Sequence, residues 1–260
     1  MLIRILVGFL IALAIAIVAR RVRSLSTSGA IAAIVVGTIA IAAGWNWGAL
    51  LIVYFISASA LSRMGRDEKE QFTSTIVAKG DERDAAQVFA NGGAFAIAAL
   101  AMCIHPDVRW AAFGVAALAA SAADTWATEI GTLYGGRPRL ILTWRRVPPG
   151  TSGGITLIGT IAMIAGASFL GIVARIAGWD IAVTNPAVLG GIGGAILDSV
   201  LGATMQSRRW CESCQSETER VIHHCGTKTS YRRGFGWLDN DVVNFVSSVL
   251  GGLLAAYLVG

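Results

Sequence analysis

Eight apolar runs punctuate the chain, at positions 2–19, 28–44, 46–62, 86–104, 108–124, 153–178, 186–205 and 241–259. Each is near the ~20 residues that a helix needs to cross the hydrocarbon of a bilayer. Lipid offers the backbone no hydrogen bonds, so a spanning segment must be a helix or part of a closed barrel. Barrel strands alternate apolar and polar positions, whereas these runs are continuous. The pattern predicts an all-α, polytopic membrane protein of about eight transmembrane helices. It forms a single integral membrane domain over 1–260, with a Cys/His-containing loop at 206–240 inside it.

Charge orients the spans. Loops 20–27, 63–85, 125–152 and 206–240 carry 18 of the 21 Lys and Arg residues, leaving Arg4, Arg109 and Arg175 for the other side. Basic residues concentrate in cytoplasmic loops, so these loops are placed in the cytoplasm and both termini outside. Trp45, Trp47, Trp110 and Trp179 then fall at outer ends, and Trp144, Trp210 and Trp237 near inner ones, as in an interfacial belt. Orientation accounts for the pI of 9.3 without a nucleic-acid partner. Composition agrees: 14% of residues are charged, where a soluble domain has about a quarter. One basic residue, Arg4, precedes the first apolar run while Arg20, Arg21 and Arg23 follow it. That balance favours a retained anchor over a cleaved signal.

Orientation also sorts the polar clusters. Asp124 and Asp198 end runs that travel inward, while Ser26-Thr-Ser-Gly29, Lys79-Gly-Asp81-Glu-Arg83, Gly150-Thr-Ser-Gly-Gly154 and Leu238-Asp-Asn-Asp241 precede runs that travel outward. All of them lie on one face, which predicts a single site open to the cytoplasm. A charge inside a span costs several kcal/mol unless compensated, and marks function by default. Asp124, Asp198 and Asp241, with Glu129 and Asp239 nearby, make a candidate hard-cation site, since Mg²⁺ is held by one or two carboxylates together with waters and phosphates. The structural alternative pairs Asp124 with an arginine, or Asp198 with a hydroxyl. Ala119-Ala-Ser-Ala-Ala-Asp-Thr125 and Gly193-Gly-Ala-Ile-Leu-Asp-Ser199 echo one another and are compatible with a parallel repeat of helix pairs.

Other residues are candidates for phosphate. Gly150, Thr151, Ser152, Gly153 and Gly154 stand directly before an apolar run, and helix starts favour anions. Arg137, Arg139, Arg145 and Arg146 lie just upstream and offer forks that suit phosphate oxygens, or else simply fix the topology. Lys79, Arg83, Gln87 and Asn91 follow an i, i+4 spacing into the fourth span; Asn244 shares a face with Asp241. Helix–helix hydrogen bonding is the alternative for the amides. Cys211-x-x-Cys214 followed by His224 and Cys225 is compatible with a structural Zn²⁺ site. His223 with Cys225 is an alternative pair, and ordinary reduced thiols are the other reading. No G-x-x-x-x-G-K-[ST] loop, H-E-x-x-H or G-x-S-x-G motif occurs.

Ser121-Ala-Ala-Asp-Thr-Trp-Ala-Thr-Glu-Ile-Gly131, Gly150-Thr-Ser-Gly-Gly154, Asp198-Ser-x-Leu-Gly-Ala203 and Leu238-Asp-Asn-Asp-x-x-Asn244 together resemble one family over nearly the whole chain. It is the integral-membrane family of plastid phytyl-phosphate kinases and their bacterial, archaeal and animal relatives (transmembrane protein 19 in animals). That family is distantly similar to CTP-dependent phytol and dolichol kinases and to CDP-diacylglycerol synthases. The resemblance implies phosphoryl transfer from CTP to an isoprenoid (prenyl) monophosphate, giving a prenyl diphosphate. The Cys-x-x-Cys loop is not an expected feature of the whole family.

Phosphoryl transfer asks a protein mainly for positioning and charge neutralisation. Asp124 and Asp198 are the candidates for Mg²⁺, the glycine-rich stretch for the triphosphate, and the arginines for the charge in transfer. A phosphate acceptor needs no strong base, whereas an alcohol acceptor would, and Glu129 is then the nearest candidate. The rival is an ion-coupled transporter or lipid scramblase using the embedded Asp and Asn residues. A carrier should have polar groups continuing to the far side, and the outer halves of these runs are almost bare of them. The site is expected to face the cytoplasm from the cytoplasmic membrane.

Overall fold

The computed structural model describes residues 2–80 and 82–260. Nine helices form among them: α1 (Leu2–Arg21), α2 (Thr27–Ala43), α3 (Trp45–Arg63), α4 (Arg66–Thr73), α5 (Ala85–Ile104), α6 (Val108–Tyr134), α7 (Leu157–Ile176), α8 (Ile181–Thr204) and α9 (Asn240–Val259). Six of these, α1, α3, α5, α7, α8 and α9, are long and apolar enough to cross a membrane. α2 is apolar but only 17 residues long. Outward faces carry exposed Ile3, Ile31, Ile104, Ile176 and Tyr257, surface that suits lipid rather than water. The chain is an integral membrane protein built of helices.

Helix starts are written locally. Ser26, Asp84, Thr156, Asp180 and Asp239 each cap a helix by accepting from a backbone N–H of its first turn. Such residues satisfy donors that a helix start leaves unpaired. Two bounds differ from the apolar runs. α6 continues to Tyr134, ten residues beyond the run that ends at 124, because the segment after Asp124 stays packed against α7: Gly131 lies on Gly159. α7 starts only at Leu157, so Gly153 and Gly154 precede it.

α6 is the axis of the bundle. Its residues 111–123 are all buried, and small residues let neighbouring backbones approach. α8 runs parallel to it: Gly190 faces Ala116 and Gly194 faces Ala120, with a Cβ on Gly194 standing only 2.8 Å from the Ala120 methyl. One further turn along both helices brings Asp124 level with Asp198. α9 returns antiparallel, with Gly251 against Gly190 and Gly252 against the Phe113 ring. α7 likewise packs antiparallel on α6, with Gly159 against Gly131 and Gly166 against Trp126.

Trp47 and Trp179, placed in an outer belt by the pattern, are buried inside the bundle and do not face lipid. Trp47 is 2% exposed and packs on Phe95 and Trp179 at 5.1 and 5.8 Å between ring centroids. Gly114 makes the room: a Cβ there would stand 2.6 Å from the Trp47 ring.

The connections at the polar end carry all the strands. β1 (Arg139–Leu140) pairs antiparallel with β2 (Gly154–Ile155). Residues 206–240, read above as loop, contain an antiparallel sheet in the order β4-β3-β5, from β3 (Arg208–Cys211), β4 (Ser216–Thr218) and β5 (Ser230–Arg233).

Candidate functional site

Asp124 and Asp198 reach the polar end of the bundle from the parallel pair α6 and α8; Asp198 lies within electrostatic reach of Asp124, and Asp124 within reach of Glu129. Asp198 accepts a hydrogen bond from Ser247 of α9 at 2.9 Å, through one oxygen. Asp124 has no hydrogen-bond or ion-pair partner among the described residues. The arginine bridge considered for Asp124 is therefore not formed. Two carboxylates with free oxygens and no cation beside them are a hard-oxygen donor set of the kind that Mg²⁺ takes.

The other two acids are already compensated. Glu129 receives the Lys69 ammonium of α4 and, at 2.7 Å, the Ser62 hydroxyl. Glu129 is thus neutralised within the chain, with one hydrogen bond on each of its oxygens. Asp241 is paired with Lys79, which removes the need for a metal there. The same contact, together with Asp84 at 2.8 Å, occupies Lys79, which was expected to hold phosphate. Burial works to lower the Lys79 ammonium, but the hydrogen bonds and charges of Asp241 and Asp84 outweigh it and hold it above its ordinary value. Burial likewise works to raise Asp84; Lys79 and the Gln87 N–H outweigh it and leave the carboxyl below its ordinary value.

Lys69 was not anticipated. It is the one buried residue of α4, and its ammonium also donates to the Leu61 and Ser62 carbonyls, the C-terminal turn of α3. A charged, short, amphipathic segment reads as a solvated loop helix, and only the packing of α4 on α3 and α6 turns Lys69 inward.

Arg83 differs from the other cations. Its guanidinium donates to Ser59 at 3.2 Å and to Ser62 at 3.1 Å, and has no carboxylate partner among the described residues. Its backbone is tied to the α1–α2 turn, accepting from Ser26 N–H at 3.0 Å and donating to the Ser24 carbonyl at 3.1 Å. Lys79 and Arg83 precede α5 and do not lie on its face, as the i, i+4 spacing had suggested. Asp81, between them, falls outside the described residues. Gln87 closes a capping box with Asp84, and the Asn91 amide donates to the Gln87 carbonyl. The Asn244 side chain has no hydrogen bond among the described residues, its backbone carbonyl accepting from Ser247.

An apolar cleft opens between α1, α2, α3 and α5. Ile15, Val36, Leu51 and Phe55 line its body, while Arg83, Gln87, Asn91 and Tyr54 line its polar end. Tyr54 lies within electrostatic reach of both Arg83 and Asp124, so the head of the cleft lies towards Asp124.

The glycine-rich stretch sits elsewhere than at a helix start. Gly154 is in β2, and the α7 terminus is capped by Thr156, whose hydroxyl accepts from Gly159 N–H at 3.0 Å. Gly150 and Gly153 have φ of 83° and 77°, and a Cβ on Gly153 would lie 2.5 Å from the Ala203 methyl of α8. Close packing on α8 explains that glycine without a phosphate. Thr151 bonds back to the Pro148 carbonyl at 2.8 Å. Ser152 donates to Glu219, which also takes Arg208 at 3.0 Å and Gln206 at 2.9 Å. Burial pushes Glu219 above the ordinary carboxylate range, with Arg208 and Ser152 offsetting part of it. Arg137 and Arg139 are exposed on the β1–β2 hairpin, where Arg139 donates to the Trp144 carbonyl at 2.9 Å; the fold does not bring them to Asp124.

In the cysteine ribbon the ligating atoms of Cys211, Cys214, His223 and Cys225 lie within 4.8 Å of one another. The expected His224 is replaced by His223, because the turn at 223–227 points the ring of His223 inward and leaves His224 at the surface.

Comparison with known proteins adds the wider relationship. Residues 10–252 match the family described as Integral membrane protein DUF92. Protein PGR of Arabidopsis thaliana is 32% identical, over 90% of this chain and 88% of its own length. An uncharacterized membrane protein of Methanocaldococcus jannaschii is 30% identical, over 99% of this chain and 95% of its own. The Arabidopsis thaliana chloroplastic protein VTE6 is 29% identical, over 90% of this chain and 65% of its own. No solved structure matches. These relationships bear out the resemblance carried by the four motifs.

Proposed function

The chain belongs to the DUF92 family of integral membrane proteins, and from that premise we propose that it transfers a phosphoryl group from CTP to an isoprenoid monophosphate, yielding a prenyl diphosphate. The observation that carries the reading is Arg83, a guanidinium with no carboxylate partner among the described residues, at the head of an apolar cleft whose Tyr54 is within electrostatic reach of Asp124. An amphiphile with an anionic head and a hydrocarbon tail fits that combination. Its tail lies between α1, α2, α3 and α5, and its phosphate meets the Arg83 fork, whose planar donors suit phosphate oxygens.

Asp124 and Asp198 would hold Mg²⁺, which neutralises the charge of a bound triphosphate and orients it. An oxygen of the lipid phosphate attacks the γ-phosphorus of CTP. The bond from that phosphorus to the bridging oxygen breaks, and CDP leaves with the electron pair. The acceptor is already anionic at neutral pH, so no general base is needed. That agrees with Glu129 being held by Lys69. Ser59 and Ser62 position Arg83, and the hydrocarbon walls of the cleft exclude water from the acceptor. The reaction takes place at the basic, cytoplasmic face.

The test is incubation of purified protein and Mg²⁺ with γ-labelled CTP and a panel of prenyl alcohols and monophosphates. Label in a diphosphate product is expected. Label in the monophosphate product of an alcohol would reassign the acceptor. No labelled lipid with CTP, UTP or ATP would overturn the kinase reading in favour of a carrier.

A further inference from the structure

Outside the site just described, the ribbon of residues 206–238 has a stability problem. Its buried side chains are Gln206, Arg208, Cys211, Thr218, His223, Thr229 and Leu238. Only Cys211 and Leu238 are apolar. A sheet of this size cannot bury enough hydrocarbon to offset its conformational entropy, and small units of this kind are held by a metal or by cross-links.

The two turns of the ribbon converge on one point. Cys211 ends β3 and Cys214 lies in the β3–β4 turn, where Gln215 takes a left-handed φ of 49° to close the hairpin. The 223–227 turn faces it, closed by a bond from His223 N–H to the Thr227 carbonyl at 2.9 Å and by Gly226 at φ 84°. The Cys211 and Cys225 sulfurs are 3.6 Å apart, and His223 Nδ1 is 3.2 Å from the Cys225 sulfur. A disulfide needs about 2.05 Å. Tetrahedral zinc with bonds of about 2.3 Å sets its sulfurs about 3.8 Å apart. The observed spacing matches the second case.

We propose that Cys211, Cys214, Cys225 and His223 Nδ1 form a closed, structural Zn²⁺ site. The thiol and imidazole donors suit zinc rather than the oxygen-seeking Mg²⁺. The remaining ring nitrogen of His223, Nε2, is 3.2 Å from His224 Nδ1. A zinc-binding histidine donates its second N–H to such an acceptor, which fixes its tautomer. His224 thus orients a ligand and is not one itself.

The consequence reaches the candidate site. Beyond β4, the N–H of Glu219 donates to the Ile76 carbonyl at 2.9 Å, and the Arg220 guanidinium donates to the Val77 carbonyl at 2.8 Å. From β3, Arg208 donates to the Ser152 carbonyl at 2.9 Å. The ribbon therefore clamps the segment leading to Lys79 and Arg83 as well as the 150–154 turn. Zinc at its tip holds both in place.

The experiment measures metal in full-length protein purified without a metal-affinity resin. About one zinc per chain is expected, with Cys211, Cys214 and Cys225 shielded from alkylation until a chelator is added. Cys103, within the α5 span and outside the ribbon, is counted separately by peptide mapping. His223→Ala should lower zinc to roughly a tenth or less while His224→Ala retains most of it. Chelation should raise hydrogen exchange at 76–79 and 150–154. Substoichiometric zinc in the unmodified protein, with three ribbon thiols freely alkylated, would overturn the proposal. So would zinc lost in His224→Ala but kept in His223→Ala. Neither outcome bears on CTP turnover, so the phosphotransfer reading stands or falls separately.

Discussion

Gly194 of α8 lies against the Ala120 methyl of α6, and a side chain on Gly194 would push the two helices apart. This contact, one turn before Asp198 and Asp124, sets the level and separation of the two carboxylates. In Gly194→Ala the new methyl would stand 2.8 Å from both the Ala120 Cβ and the Ser247 carbonyl. Overpacking of this kind costs about 1–3 kcal/mol. Magnesium-dependent turnover should fall further than that loss of stability explains, measured against thermal unfolding in the same detergent. Turnover unchanged in a destabilised variant would mean that the helix spacing does not matter to the chemistry.

Asp124→Asn and Asp198→Asn should each lower CTP turnover by at least about 100-fold, the scale of losing one electrostatic contact to a reacting group. Neither should destabilise the fold, since each removes a charge that no cation in the protein compensates. A melting temperature that holds or rises together with lost activity supports the assignment. A variant that retains full turnover takes its residue out of the site.

Arg83→Lys keeps the charge and loses the fork. With Ser59 and Ser62 no longer gripping a planar group, KM for the lipid phosphate should rise roughly tenfold while kcat changes less. A fall in kcat with KM unchanged would place Arg83 on the transferring group instead of the acceptor.

Lys69 and Glu129 form a mostly buried pair beside the site, with side-chain exposures of 9% and 17%. Lys69→Met leaves Glu129 unpaired and should cost about 3–5 kcal/mol. The double variant Lys69→Met/Glu129→Gln should recover most of it, and should also keep turnover, because Glu129 is structural in this reading. A stable but inactive double variant would restore Glu129 as a catalytic group.

The Lys79 anchor has a defined pH response. Asp84 lies below its ordinary value, so its contribution is complete above about pH 3.9 and is lost as pH falls through the lower folded value. Lys79 lies above its own, so its contribution is complete below about pH 10.4 and is lost as pH rises through a still higher value. Neither contribution changes between about pH 5 and about pH 8, so hydrogen-exchange protection at Arg83 and Gln87 should be flat there. A step inside that window would show that another group governs the segment.

The sequence by itself determined the membrane class, the approximate positions of the apolar helices and the face on which polar residues collect. These follow from hydropathy and local charge, which act through the bilayer whatever the packing. Cap residues such as Asp84 and Thr156 were equally local, as were the motifs that identify the family. Which charges are satisfied was not local. Lys79 and Asp241 meet across most of the chain, Lys69 finds Glu129 from a segment that reads as solvated, and neither spacing nor composition announces such a pair. Tertiary structure also decided that Trp47 is buried, because the space comes from Gly114 on another helix. It turned His223 inward in place of His224, and moved the glycine-rich turn off the helix start and onto α8. Most of all, it left Asp124, Asp198 and Arg83 without partners of opposite charge among the described residues. Only packing can withhold a counter-ion, because whether a charge is neutralised depends on what every other segment brings within a few ångströms of it.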